Sequence, residues 1–344
     1  SAKLGIAYSI ATSSCDRLKL YSLLILGVEL VYFAVMIGYS RRTFKELRYK
    51  FSWNARLMRE IFAFAGWQAL TGIGVMLGTQ GYTIINQKYF GAGLVAAFSV
   101  AMMVQGHVMQ FIANFKTAAN PQIIKYYASG RTDDAKMLLI DTTVFSVVIF
   151  LVLAVPLFVY ADRILGLWLV EVPRWTVTFV RIVLISAYFS IYDTSLYIAL
   201  YAIGRLKENV LLNLLISIVC FCVAWIAIVK YGNPYTTALT SLASVVAVAL
   251  VVKPMILAKI LGFTGIDFKD IFLPGMRVLL PATVIGFVFY RYTPRGTFPF
   301  VLGGGLCVIS TGIVLWTMAL SARQKKWAIG LIREKVPVLK AFFR

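Results

Sequence analysis

The sequence predicts an all-α, polytopic integral membrane protein with about nine transmembrane helices. Of its 344 residues, 60% are hydrophobic and 14% are charged, whereas soluble domains have about 45–50% and about 25%. The mean hydropathy is +0.82. The apolar stretches run for about 20 residues without alternation, which suits membrane helices and not the alternating ~10-residue strands of a membrane barrel. A soluble or disordered chain is excluded, because neither could accommodate so much apolar surface.

A hydropathy window of about 19 residues, moved along the chain, identifies the candidate spans in order. They cover residues 18–40, 61–86, 94–115, 138–160, 175–203, 209–229, 235–257, 277–292 and 298–320. The eighth is the shortest and contains Pro281. Turn-forming runs such as Gly91-Ala92-Gly93 and Gly232-Asn233-Pro234 separate neighbouring spans. No connection is long enough to hold a soluble domain.

The positive charge follows the predicted topology. The chain has 34 Lys and Arg against 14 Asp and Glu. Of the basic residues, 24 lie on one side of the membrane, nine lie on the other and Arg181 lies inside a span. The richer side comprises residues 41–59, 116–137, 204–208, 253–277 and 321–344. By the positive-inside rule this side and the C-terminus are cytoplasmic, so the charge calls for no nucleic-acid partner.

The start of the chain and its cysteines add two smaller expectations. The chain starts at Ser1 without a Met, and the apolar stretch at 4–10 is too short to span a membrane, which indicates an N-terminally truncated protein. Cys15, Cys220, Cys222 and Cys307 lie in or beside apolar stretches without a CxxC pair. We therefore expect packing cysteines and no metal site.

Two stretches on the predicted cytoplasmic side interleave basic and aromatic residues. They are 41–59 and the tail 324–344, and each suits a helix that lies on an anionic leaflet. Simple topology anchoring and specific recognition of an anionic lipid head group both remain open. Anionic membrane lipids are in either case the expected partners.

Polar side chains recur at helical spacing on two neighbouring spans. These candidate substrate contacts are Gln68, Thr79 and Asn86 on the first span and His107, Gln110 and Asn114 on the second. Because polar groups in hydrocarbon usually face a bundle interior or a wet cavity, the two stripes predict a hydrogen-bonding wall of the kind a sugar uses. The alternative is that they join helices to one another.

The span 175–203 contains Arg181, the one basic residue that this count assigns to neither side of the membrane. Arg181, Tyr188 and Tyr192 fall on one helical face, and this cationic, aromatic stripe suits a phosphate or pyrophosphate next to a sugar ring. The alternative is that Arg181 extends to the outer surface.

Three acids within spans are candidates for ion coupling: Glu29, Asp141 and Asp193. Burial raises the pKa of a carboxyl group, so each could carry a coupling proton. Alternatively, each pairs with a neighbouring residue.

Motifs for chemistry are missing from the sequence. It contains neither GxxxxGK[ST] nor GxSxG, and no pair of carboxylates lies at a membrane edge. We therefore expect a transport protein, not an enzyme, with no catalytic residues and no cofactor.

A series of short motifs carries a family resemblance. In chain order they are Phe62-Ala63-Phe64-Ala65-Gly66-Trp67, Gly78-Thr79-Gln80-Gly81, Phe90-Gly91, Val104-Gln105-Gly106, Gln110-Phe111-Ile112-Ala113-Asn114-Phe115 and Ala119-Asn120-Pro121-Gln122-Ile123-Ile124-Lys125-Tyr126-Tyr127-Ala128-Ser129-Gly130. Together they resemble bacterial polysaccharide-biosynthesis flippases of the multidrug/oligosaccharidyl-lipid/polysaccharide exporter superfamily. The resemblance covers about residues 40–260.

The resemblance implies a partial exporter fold in a bacterial cytoplasmic (inner) membrane. Residues 1–60 would be the remnant of a first lobe, with one full span at 18–40 and an amphipathic linker. Residues 61–257 would form the complete second six-helix lobe, 258–320 two additional spans and 321–344 a basic cytoplasmic tail.

The function that the resemblance implies is translocation of a polyprenyl-pyrophosphate-linked oligosaccharide by alternating access. This flipping would serve O-antigen, lipopolysaccharide or other surface polysaccharide assembly, with an ion gradient as a candidate energy source. Polysaccharide polymerase machinery is a further expected partner. Two alternatives stay open. The first is an ion-coupled exporter of small cationic drugs, which would require acidic residues in its cavity. The second is a membrane enzyme of envelope glycan assembly, which would require large outer loops with catalytic residues.

Overall fold

A computed structural model describes residues 17–44, 53–294 and 296–335 of the chain. Within these ranges the protein is all-α, and nine helical segments are long and apolar enough to cross a membrane. The predicted fold class, a multi-pass helical membrane protein, is confirmed.

The helices follow the predicted order of spans closely. They are α1 (Arg17–Thr43), α2 (Ala55–Met76), α3 (Tyr82–Phe90), α4 (Ala92–Ala128), α5 (Thr132–Val159), α6 (Ala161–Trp168), α7 (Thr176–Ala202), α8 (Lys207–Tyr231), α9 (Thr236–Ala247), α10 (Lys253–Leu261), α11 (Gly265–Tyr292), α12 (Thr297–Met318) and α13 (Ala322–Lys335). Two π-helical turns, Leu77–Gly81 and Val248–Val252, join α2 to α3 and α9 to α10, so that each pair makes one span.

The chain divides into two compact units, Ser1–Phe62 and Ala63–Arg344. The first contains α1. In the second, α4 packs along α5 and α7, and α11 packs against α5 and α12. The largest fully buried side chains belong mainly to α5 and α7 and include Phe150, Phe179, Tyr188 and Tyr192. These helices have buried residues all round, as expected for the centre of a bundle.

The eighth span differs from its prediction. The structure extends it from 277–292 to Gly265–Tyr292, with Pro274 and Pro281 inside the helix. Thr264 and Asp267 form a capping box: the Thr264 backbone N–H donates to Asp267 Oδ2 at 2.7 Å, and the Asp267 N–H donates to Thr264 Oγ1 at 3.4 Å. A hydropathy window misses this start because the first turns carry Asp267, Lys269 and Asp270. Most of the predicted connection 253–277 is therefore helical.

Gly275 allows α11 to lie directly against the centre of the bundle. A Cβ atom there would overlap the hydroxyl of Tyr192, and it would lie 2.7 Å from Tyr188 Oη and 2.9 Å from Val147 Cγ1. The two tyrosine hydroxyls are hydrogen-bonded to each other at 3.0 Å. The absence of a side chain at Gly275 thus determines how closely α11 approaches α5 and α7.

We predict that Gly275→Ala lowers the stability of the second unit by about 1–3 kcal/mol, because an added methyl group overpacks a filled core. Thermal unfolding of the purified protein in detergent measures the effect as a lower Tm. Gly304→Ala on α12 is the matched control, since no atom lies within 4 Å of its Cβ position. Equal Tm values for the two variants would contradict the packing described above.

Candidate functional site

A cavity of about 390 Å³ opens between α2, α4, α7, α8 and α9. Its wall includes the π-helical turn at Gly78 and Thr79, and such turns are frequent at functional sites. Its polar lining residues are Thr71, Thr79, Gln105, Ser186, Ser190, Asp193, Asn213, Ser217, Ser241 and Ser244. Hydroxyl and amide groups dominate this set, so the cavity can both donate and accept hydrogen bonds.

Two of the hydroxyl groups show how the cavity remains polar inside a helical bundle. Thr71 Oγ1 donates to the Trp67 carbonyl at 3.1 Å, and Thr79 Oγ1 donates to the Val75 carbonyl at 2.9 Å. Each hydroxyl proton is satisfied within its own helix, which leaves the oxygen lone pairs as acceptors.

A buried ion pair adjoins the cavity. Lys253 begins α10, and its side chain is 1% exposed. Its Nζ lies 3.1 Å from Asp193 Oδ1 and donates to Asn209 Oδ1 at 2.5 Å. It also lies 4.8 Å from the centre of the Tyr197 ring. Lys253 therefore joins α7, α8 and α10 through one ammonium group.

A second buried lysine approaches the same acid from α4. Lys116 is 7% exposed, and its Nζ donates to the Ile191 carbonyl at 3.1 Å and to Thr194 Oγ1 at 2.8 Å. These partners lie on either side of Asp193 in the sequence. We call Lys116, Asp193 and Lys253 the lysine–aspartate cluster. Of the three, Asp193 lines the cavity, and the two lysines lie behind the lining residues.

Sequence reasoning missed both lysines because it counted them as charges of cytoplasmic connections. Helix α4 continues past the predicted end of its span, and Lys253 belongs to the predicted span 235–257 as well as to the connection 253–277. A periodicity signal was available: Lys116 shares a helical face with the buried Ile112 and Ile123, and Lys253 follows Ala249 and precedes Leu257 at intervals of four. A basic residue in phase with a buried apolar face indicates a buried cation.

The predicted sugar-binding stripes are only partly brought to the cavity. Thr79 lines it, whereas Asn86 is fully buried and accepts a hydrogen bond from Thr237 Oγ1 at 3.1 Å. His107, Gln110 and Asn114 are exposed and do not line it. Gln110 Nε2 donates to Asn114 Oδ1 at 3.0 Å. On α4 the cavity is lined instead by Gln105, and the side chain of Gln68 lies outside the described part of the chain.

The predicted stripe on α7 lies away from the cavity. Arg181 Nε donates to the Phe158 carbonyl at 3.1 Å, and its guanidinium lies 5.8 Å from the Phe158 ring centre. Tyr188 and Tyr192 are buried and bonded to each other. The structure therefore does not place Arg181 and the two tyrosines on one accessible surface, and their role in substrate binding remains a prediction.

The other two candidate acids have different surroundings. Glu29 is exposed on α1. Asp141 Oδ1 accepts hydrogen bonds from Arg323 Nη2 at 2.6 Å and from Gln324 Nε2 at 2.8 Å, both on α13. The Trp327 ring of α13 lies 5.1 Å from that of Phe145. Asp141 thus joins the start of α13 to α5.

Among the residues that the structure describes, no group of three or more His, Cys, Asp or Glu side chains could hold a metal ion. In comparisons with protein-family models, with curated proteins and with solved structures, nothing matches this chain. The resemblance to polysaccharide flippases therefore depends on the sequence motifs.

We predict that Lys253→Met and Asp193→Asn each destabilise the protein, by roughly 3–5 kcal/mol for the loss of one partner of a buried ion pair. The double variant Lys253→Met/Asp193→Asn should recover most of this loss, because it leaves no buried charge uncompensated. Thermal unfolding in detergent measures all three.

Lys259→Met is the matched control, since Lys259 is an exposed lysine on the same helix. If the double variant is as unstable as the sum of the two single variants, the ion pair is not the interaction that stabilises this region.

Proposed function

We propose that this protein translocates polyprenyl-pyrophosphate-linked oligosaccharides across a bacterial cytoplasmic membrane for surface polysaccharide assembly. One observation carries the proposal: a cavity whose mainly apolar wall contains ten polar side chains lies inside a membrane-spanning bundle and adjoins two buried amines. Polar side chains and charges are expensive within a membrane, and they mark substrate pathways.

The lining of the cavity suits a sugar. Sugars are bound by groups that both donate and accept hydrogen bonds, and Ser190, Ser241, Asn213 and Gln105 offer such groups from four different helices. A volume of about 390 Å³ lies within the range of about 300–1,000 Å³ that is usual for ligand pockets. The cavity would therefore hold part of an oligosaccharide.

The lysine–aspartate cluster suits the anionic end of the substrate. It contains two amines and one carboxylate, so with both amines protonated it carries one excess positive charge. Hydrogen bonds from charged amines to phosphate oxygens are stronger than those between neutral groups. In the proposed cycle the pyrophosphate lies at the end of the cavity that adjoins the lysine–aspartate cluster, and the glycan occupies the part with hydroxyl and amide side chains.

The family resemblance supplies the rest of the proposal. Residues 61–257 would act as one lobe of an alternating-access transporter, driven by an ion gradient. The lysine–aspartate cluster lies toward the end of α7 that the charge distribution predicts to be cytoplasmic, where such a substrate is assembled. Anionic lipids at α13 and a polysaccharide polymerase are the proposed partners.

One observation favours a second candidate, an ion-coupled exporter of small cationic drugs. The charged residue that lines the cavity is Asp193, and Arg181 lies away from it. A carboxylate in a cavity attracts cations. The ion pair of Asp193 with Lys253 argues against this second candidate, because the buried ammonium already compensates the carboxylate.

Translocation of a lipid-linked sugar by proteoliposomes tests the proposal. The probe is polyprenyl-pyrophosphate-N-acetylglucosamine, and the measurement is the rate at which the sugar becomes accessible to an external lectin. The double variant Lys253→Met/Asp193→Asn should retain the fold but lose the amine. We expect its rate to fall by at least about tenfold, since a hydrogen bond to a charged group contributes about 1.5–3 kcal/mol.

Lys259→Met is again the control and should translocate at the wild-type rate. Wild-type protein that fails to move the probe and instead extrudes ethidium under an ion gradient would overturn the flippase proposal in favour of the drug exporter. A double variant that flips the probe at the wild-type rate would remove Lys253 from the substrate site.

A further inference from the structure

A second cavity of about 630 Å³ lies where α6 meets the connection between α11 and α12. It shares no lining residue with the first cavity. The two lie toward opposite ends of α7, since α7 begins just after α6, and Asp193 lies about 25 Å further along the helix at 1.5 Å per residue. The second cavity is therefore at the membrane edge of the bundle and away from the proposed transport path.

Four contacts orient the side chain of Arg163 of α6 at this cavity. Its Nη2 donates to the Thr293 carbonyl at 3.0 Å, and its Nη1 donates to the Pro294 carbonyl at 3.3 Å. The guanidinium lies 4.7 Å from the centre of the Tyr290 ring and 5.7 Å from that of Tyr160. Two carbonyls and two rings thus fix its plane before any ligand binds.

All of these partners are neutral, so they orient the charge of Arg163 without cancelling it. The neighbouring acid, Asp162, is engaged elsewhere: its Oδ2 accepts a hydrogen bond from Tyr290 Oη at 2.6 Å. Within the described residues, no carboxylate lies within ion-pair distance of Arg163. A pre-positioned guanidinium of this kind suits a phosphate group, to which it can present two N–H donors.

Arg291, in the last turn of α11, brings a second guanidinium to the same cavity. Its side chain is exposed. Among the described residues, the lining contains two cations and one acid, Asp162, whose carboxylate is hydrogen-bonded to Tyr290. This balance favours an anionic ligand over a zwitterionic one.

Apolar side chains beside the cavity indicate where the rest of the ligand lies. Leu167 lines it and is 62% exposed, and the next residue, Trp168, is 50% exposed. Both belong to α6, which follows the end of the α5 span directly and so lies at the boundary between hydrocarbon and water. Tryptophan is enriched at this boundary, and exposed apolar side chains there can contact acyl chains.

We propose that this second cavity binds an anionic phospholipid, with the phosphate at Arg163 and Arg291 and the acyl chains against Leu167 and Trp168. The site is independent of the proposed transport function, because it uses none of the residues of the first cavity.

Native mass spectrometry of the purified protein in detergent tests this site. Phosphatidylglycerol is the probe, and phosphatidylcholine with the same acyl chains is the zwitterionic comparison. Arg291→Gln is the decisive variant, because Arg291 is exposed and holds no neighbouring segment in the described structure. We expect this variant to bind phosphatidylglycerol about fivefold more weakly, because one basic residue near a lipid head group contributes about that much affinity. Arg163→Met/Arg291→Gln should remove the preference for the anionic lipid.

Arg174→Gln is the matched control. Arg174 is exposed at the same end of the bundle, and its guanidinium lies over Trp175, outside the cavity. The Arg174→Gln variant should bind both lipids with the affinity of the wild type. Wild-type affinity of Arg291→Gln and of the double variant for phosphatidylglycerol would overturn the proposal. Displacement of the lipid by micromolar inorganic phosphate would also overturn it, because the site would then belong to a soluble anion.

Discussion

The ion pair between Lys253 and Asp193 is the interaction on which the centre of the second unit depends. Burying an isolated ammonium ion in a medium of low dielectric constant costs more free energy than the whole free energy of unfolding of a typical domain. The ammonium group of Lys253 can be buried, with its side chain 1% exposed, only because Asp193, Asn209 and the Tyr197 ring surround it. Three helices must therefore keep their relative positions, which couples α7, α8 and α10.

The same ion pair determines the chemistry of the adjoining cavity. Asp193 remains 29% exposed while Lys253 is almost completely buried, so the acid is the member of the pair that reaches the cavity wall. The buried amine cancels its charge from behind. Lys116, held at the residues on either side of Asp193, brings a second amine next to this compensated pair. A carboxylate that lines a cavity need not make the cavity a cation site.

Charges at the two ends of the second unit are stabilised in different ways. Toward one end of α7, lysines are buried and satisfied by a carboxylate, an amide, a backbone carbonyl and a hydroxyl group. At the other end, Arg163 is oriented by carbonyls and aromatic rings and has no carboxylate partner within the described structure. Solvent and lipid head groups are available at that membrane edge, so an uncompensated charge is tolerated there. Deep in the bundle it is not.

The sequence by itself determined the fold class, the order of the spans and most of their boundaries. Membrane insertion depends on the transfer free energy of about 19 consecutive residues. This free energy can be summed from the local sequence without knowledge of the fold. Two boundaries were predicted poorly: the start of α11, where Asp267, Lys269 and Asp270 lower the local hydropathy, and the end of α4, which lies at Ala128 and not at 115.

Only the tertiary structure decided which side chains meet. Thr79 was predicted and lines the cavity, yet His107, Gln110 and Asn114 lie on a face of α4 away from it, and Gln105 takes their place. Lys253 and Asp193 are 60 positions apart in the sequence, and neither position indicates the other as its partner. Helical periodicity predicts which residues share a face. The rotation of each helix about its own axis, however, follows from packing against its neighbours. That rotation is what brings an acid from α7, an amide from α8 and an amine from α10 to one point.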